Sequence, residues 1–102
     1  MIETVGIAPR SRREPWSEES KRKMINRLSR IEGQIKGMKA MLEDDRHCGD
    51  VLVQMAAAEK GLRAFGIELA KSHFHSCVLP DIQEGGEELA EEFLLLFEQM
   101  AK

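Results

Sequence analysis

Tyrosine is absent from this 102-residue sequence, prolines number three and cysteines two, and aromatic residues make up only 5% of it. Ala, Glu, Leu, Met and Lys are plentiful instead. They lose little on entering a helix, so an all-α protein is predicted. No apolar run approaches the ~20 residues that span a bilayer, and no secretory leader is recognisable, so a cytoplasmic protein is expected. In that reducing compartment two cysteines read as a metal or redox pair rather than a structural disulfide. A Gly-rich phosphate loop, a Ser/His/Asp arrangement and an evident carboxylate pair are all missing, which argues against an enzyme. So are a helix-turn-helix, a zinc-finger pattern and any internal repeat.

The charge that is present is unevenly placed. Residues 1–39 carry ten Lys/Arg against five acids, whereas residues 40–102 carry five against thirteen. A net charge of −3 therefore hides a basic first third suited to nucleic acid and an acidic remainder that avoids it. The plainer reading of that asymmetry is solvated surface.

Residues 1–15 show no periodicity, contain Pro9 and Pro15, and hold Arg10, Arg12 and Arg13. Residues 1–16 are expected to form a flexible, solvated basic arm before a single helical domain over 17–102. Ser17 followed by Glu18 and Glu19 predicts a capped helix start. From there Met24, Leu28, Ile31, Ile35, Met38 and Leu42 step by four and three, a heptad seam that predicts a helix over 17–44. Gly33 and Gly37 inside it cost ~1 kcal/mol each against Ala, which suggests close approach of another backbone. Asp44-Asp45 and Cys48-Gly49-Asp50 mark a turn. A second helix over 48–78 carries Val51, Met55, Leu62, Phe65, Leu69 and Val78 and is expected to end at Pro80. Gly85-Gly86 punctuates, and a third helix over 86–101 carries Leu89, Phe93, Leu96, Phe97 and Met100. Two helices of ~45 Å are too long for so short a chain to bury alone. The expected solution is a three-helix protomer whose antiparallel hairpin dimerises into a four-helix bundle.

Cys48, His73 and Cys77 carry the chemistry. His73 and Cys77 are four apart and share one helix face. Cys48 stands 25 residues before His73, or roughly 37 Å along a straight helix. A shared ligand would then need Cys48 from a second, antiparallel subunit. Two thiolates and an imidazole form a soft, low-coordinate set suited to Cu(I). Structural zinc would want a fourth ligand, for which His47 and His75 are the available groups, though His75 points to another face. Each residue also has an ordinary reading: a cysteine on a helix is commonly a small buried hydrophobe, and the six methionines are mostly core filling. A thiol sensor is the other chemistry, with Cys48 reactive at a helix start and Cys77 as resolving partner.

The stretch Arg27-Leu28-Ser29-Arg30-Ile31-Glu32-Gly33-Gln34-Ile35-Lys36-Gly37 resembles the R-L-x-R-[IL]-x-G-Q-[IV]-x-G signature of the copper-sensitive operon repressor family (the CsoR, RcnR and FrmR group). The Cys48…His73-x3-Cys77 spacing resembles that family's copper ligand set. The resemblance covers about residues 17–100. It implies a disc-like homotetramer built from two dimers, which binds operator DNA when ligand-free and leaves it on binding Cu(I). Nickel/cobalt sensors of the family have His where Cys77 stands, formaldehyde sensors lack the last Cys, and persulfide sensors lack the His, so the pattern fits copper best. One departure is His47, where copper members often carry Tyr. That Tyr pairs with a last-helix Glu, matched here by Glu91 or Glu92, behind the metal-bound imidazole.

The resemblance also implies DNA contacts on a flat face of the tetramer. Arg27, Arg30 and Lys36 match best, with Gln34 as a neutral donor and Lys60 or Arg63 added from the second helix. Binding would be phosphate-dominated and strongly salt-dependent, with specificity leaning on DNA shape. The competing reading of Arg27 and Arg30 is surface ion pairing. Two further functions stay open: a related repressor that senses persulfide, formaldehyde or nickel/cobalt through Cys48, and a metal-binding helical bundle with no DNA role.

Overall fold

The computed structural model describes Arg10, Arg12 and residues 15–102, with no strand among them. The helices are α1 (Glu18–Glu43), α2 (Cys48–His73), α3 (Leu79–Gln83) and α4 (Glu88–Ala101), and a π-helical turn (Phe74–Val78) joins α2 to α3. α1 starts as its sequence dictates. Ser17 Oγ accepts from the Ser20 N–H at 3.1 Å, and Glu18 and Glu19 occupy the positive first turn.

α1 and α3 end in the same way. Arg46 N–H donates to Met41 O at 2.9 Å and Asp45 N–H to Leu42 O at 3.2 Å, while Gly86 N–H donates to Asp81 O and Gly85 N–H to Ile82 O, both at 2.9 Å. These are paired Schellman bonds around a left-handed residue, Asp45 at φ 53° and Gly85 at φ 92°. The first turn sends α2 back along α1 as an antiparallel hairpin. Ile31 is buried there, and a Cβ on Gly61 would stand 3.4 Å from its Cγ1. The tight glycine between helices is Gly66, where a Cβ would stand 2.8 Å from Met100 Sδ, while nothing lies within 4 Å of a Cβ at Gly33 or Gly37.

Pro80 does not end the second helix. Leu79 N–H bonds five residues back to Phe74 O, and the chain then continues helically to Gln83. The extra residue in the π turn lets Pro80 occupy the first turn of α3, where its missing N–H and its ring are tolerated.

Few side chains are enclosed. Ile31, Ala58, Cys77 and Val78 are buried, whereas Leu28, Ile35 and Leu42 of α1, Leu52, Val53 and Leu62 of α2, and Leu94 to Phe97 of α4 are exposed. The chain measures 56 × 29 × 23 Å with a radius of gyration of 17.0 Å, against ~13 Å for a compact domain of this length. Full burial of one such side chain stabilises by about 1.5–3 kcal/mol, and most of that is unrealised in the protomer.

Candidate metal centre and nucleic-acid interface

His73 is the last residue of α2 and Cys77 lies inside the π turn. One extra residue in that turn still leaves the two side chains within a turn of each other on one side. Single-turn π segments inside helices are frequent at functional sites. Cys77 is 5% exposed and Val78 1%. His73 is half-buried, its ring 6.2 Å from that of Phe93. Phe93 in turn lies 5.6 Å from Phe74 and 6.2 Å from Phe97, so α4 packs an aromatic row against the end of α2. His75 is exposed and meets Phe74 edge-on.

Cys48 opens α2 at its other end, exposed and unpaired. The helix between it and His73 is 26 residues long, so the two stand roughly 37 Å apart along the axis. Among the described residues no three His, Cys, Asp or Glu side chains converge. His73 and Cys77 thus lie four residues apart across the π turn, with Cys48 at the far end of α2. His47 acts locally. Its Nδ1 accepts from the Gly49 N–H at 2.9 Å and caps α2. Next to it Arg46 pairs with Asp50 at 3.0 Å.

The two last-helix glutamates differ in place. Glu91 is exposed, whereas Glu92 is half-buried and lines a half-open cavity of about 410 Å³ together with His73, Phe93 and Met100. The same cavity is lined by Arg10, Arg12 and Trp16. Arg10 is exposed and Arg12 half-buried, while Arg13 lies outside the described residues. Arg10 Nη2 is 3.2 Å from Glu92 Oε2. Arg12 Nη2 donates to Ser72 Oγ at 3.2 Å, and its guanidinium stacks 3.7 Å from the Trp16 ring. A tryptophan directly after Pro15 and beside an arginine cluster was the signal for docking, because a large aromatic side chain seldom stays in water when an apolar groove is near.

On α1, Arg27, Arg30 and Gln34 lie within about 60° of one another at ~100° per residue, while Lys36 falls on the opposite side from Arg27. Lys60 and Arg63, three apart, share a side of α2 away from the buried Ala58. Because Ile31 sits beside Gly61, Arg27 and Arg63 lie within about one turn of the same level along the hairpin. Arg63 donates to Met100 O at 3.4 Å. The ion pairs among the described residues are Arg10–Glu92, Lys23–Glu19, Arg46–Asp50 and Lys71–Glu68, so Arg27, Arg30, Lys36 and Lys60 keep their charge uncompensated.

The sequence over residues 20–99 matches the model of the metal-sensitive transcriptional repressor family. The chain belongs to that family. Within the metal-sensitive repressors it is 39% identical over 87 residues to the copper-sensing transcriptional repressor CsoR of Bacillus subtilis, covering 84% of this chain and 86% of that one. To the copper-sensing repressor RicR of Mycobacterium tuberculosis it is 42% identical over 60 residues, 59% of this chain and 62% of that protein. Its fold matches the crystal structure of CsoR with Cu(I) from Geobacillus thermodenitrificans at a TM-score of 0.84 and 38% identity, over 93% of this chain and all of the other. It also matches the nickel-responsive regulator InrS at a TM-score of 0.68 and 34% identity, over 85% of this chain and 99% of that one. The all-α fold and the repressor family, which is not a family of enzymes, agree with the sequence reading. No helix among the described residues is long and apolar enough to cross a membrane.

Proposed function

We propose that this protein is a cytoplasmic, Cu(I)-responsive repressor that binds operator DNA as a homodimer assembled into a homotetramer. The observation that carries the reading is the separation of Cys48 from His73 and Cys77 by the length of α2. An antiparallel partner places its Cys48 at the His73–Cys77 end, and the exposed apolar faces of α1 and α2 supply the drive for such a pairing. The donor set fits the ion: two free thiols and one imidazole are soft and few. Cu(I) held there supplies a soft cation that prefers two or three such donors.

The chain's own residues do the rest. His73 ties the site to α4 through Phe93, and Glu92 of α4 lines the cavity beside it. A change at His73 is thereby felt by the last helix. Arg27, Arg30 and Gln34, with Lys60 or Arg63 at a similar level, form the phosphate-facing surface. For the inducer to clear most of the operator, it must favour the released form by several kcal/mol, about 5.5 for a full reversal of occupancy.

Copper-sensing relatives and a Cu(I)-bound structure of the same fold support the choice of metal. The decisive experiment titrates Cu(I) anaerobically into the protein bound to a duplex from upstream of its own gene. Release at about one Cu(I) per subunit is expected for the wild type, with no release for Cys48→Ala. Tight Cu(I) binding with DNA still held would reject copper as inducer. A second reading in the same family, thiol modification by persulfide or formaldehyde, is favoured by the exposure of Cys48. It predicts a mass shift at Cys48 or a Cys48–Cys77 link. The likeness to InrS makes nickel the metal to run in parallel.

A further inference from the structure

We propose that the last turn of α4 withholds Arg63 from DNA: Met100 seats the helix on Gly66, its carbonyl takes the Arg63 guanidinium, and lifting that end frees the arginine to join Lys60 on phosphates. The inference rests on the reading of operator DNA as the partner. It starts from the way α4 lies on α2. At one end the Phe93 ring is 6.2 Å from that of His73. At the other, a Cβ on Gly66 would stand 2.8 Å from Met100 Sδ, so the missing side chain is what lets Met100 settle there. Gly66 and His73 are seven residues apart on α2, and Phe93 and Met100 are seven apart on α4. Both spacings are two turns, ~10 Å along each axis. One stiff segment therefore makes both contacts, and each favours the other.

Arg63 stands one turn before Gly66 and donates through Nη1 to Met100 O at 3.4 Å. That carbonyl belongs to the last turn of α4, where carbonyls lack intrahelical donors and form the negative end of the helix dipole. The turn contains no basic residue of its own, so Arg63 supplies the capping cation from α2. The contact is suited to exchange. Its length is at the weak end for a hydrogen bond, Arg63 is exposed, and the acceptor is neutral. A phosphate offers the same donors a full negative charge. Among the described residues no carboxylate pairs with Arg63. Lys60 is one turn away on the same side of α2, so a released Arg63 adds its charge to one already there. Because the two seats of α4 favour each other, a ligand that firms the Phe93 end at His73 also draws Arg63 away from DNA.

The test uses the full chain without metal, a duplex from upstream of its own gene, and a salt series. Met100→Ala removes the side chain that seats α4. Gly66→Leu fills the same seat from the α2 side, so the test survives if one variant fails to fold, as circular dichroism would show. We expect both to bind DNA more tightly, by up to about eight-fold at ~0.1 M salt. The salt slope should grow in magnitude by about 0.9, the increment for one more phosphate neutralised. Arg63→Gln added to either variant should abolish both changes, because the charge that moves is gone. An unchanged affinity and slope in the folded seat variants, or a gain that persists with Arg63→Gln, would overturn the proposal. Failure of the wild type to bind any duplex would instead bring down the operator reading, and the proposal with it. The wild-type titration alone separates the two failures.

Discussion

Asp45 and Gly85 occupy equivalent positions at two helix ends, and only one of them is the residue that position prefers. Both have positive φ, where an L side chain costs roughly 1–2 kcal/mol and glycine costs nothing. Asp45→Gly is expected to stabilise the protein by up to ~1 kcal/mol, and Gly85→Ala to destabilise it by ~1–2 kcal/mol, both read by urea unfolding at fixed protein concentration. Among the charged residues, phase on α1 separates two that look alike in sequence. Arg27→Ala should weaken DNA binding and lower the salt slope, while Lys36→Ala, half a turn away, should leave both near wild type. Equal losses from the two would mean that DNA contacts more than one side of α1. The Arg27–Gly37 motif, the Ser17 cap and the His73-x3-Cys77 pair were legible because each is local. The partners of Arg10 and Arg12 were not, since Glu92 and Ser72 are 82 and 60 residues away.

At the scale of elements, the π turn is the feature that the helical period could not reveal. The apolar pattern from Val51 to Val78 reads as one helix ended by Pro80, yet the chain passes Pro80 by inserting one residue's worth of turn. Removing Ser76 should absorb the extra residue of the turn and leave a regular helix, with His73 and Cys77 three apart instead of four. Helical content by circular dichroism is expected to persist, while inducer-driven DNA release is weakened, because the spacing of the His73–Cys77 pair changes. Normal release by the deletion variant would show that this spacing carries no signal. The loop between α1 and α2 was legible as Asp44-Asp45 before a helix start. That His47 serves as cap was not, since His is not a common residue there.

For the whole molecule, exposed apolar surface dominates. Leu42, Val53 and Leu95 are 65%, 67% and 64% exposed, apolar surface that the proposed dimer would bury. Folding coupled to the proposed assembly ties stability to protein concentration. The unfolding free energy is expected to gain about 1.4 kcal/mol per mole of dimer for each tenfold rise in concentration, seen as a rising urea midpoint. A midpoint independent of concentration over two decades would argue for a stable monomer. Gly33 and Gly37, which meet nothing within the protomer, are open to a neighbouring chain.

The sequence by itself determined the helices, their capped starts, the soft His73–Cys77 pair and the family, because periodicity, caps and short motifs depend on residues within a few turns of each other. It also determined that Cys48 cannot join that pair within one protomer, since helical rise is a fixed length. Only the tertiary structure decided that Gly66 rather than Gly33 lies at the close approach, that Glu92 rather than Glu91 lines the cavity beside His73, and that Arg10 and Arg12 line it too. Each of these depends on which face one element turns toward another. That orientation is set by the summed packing of α2, the π turn and α4.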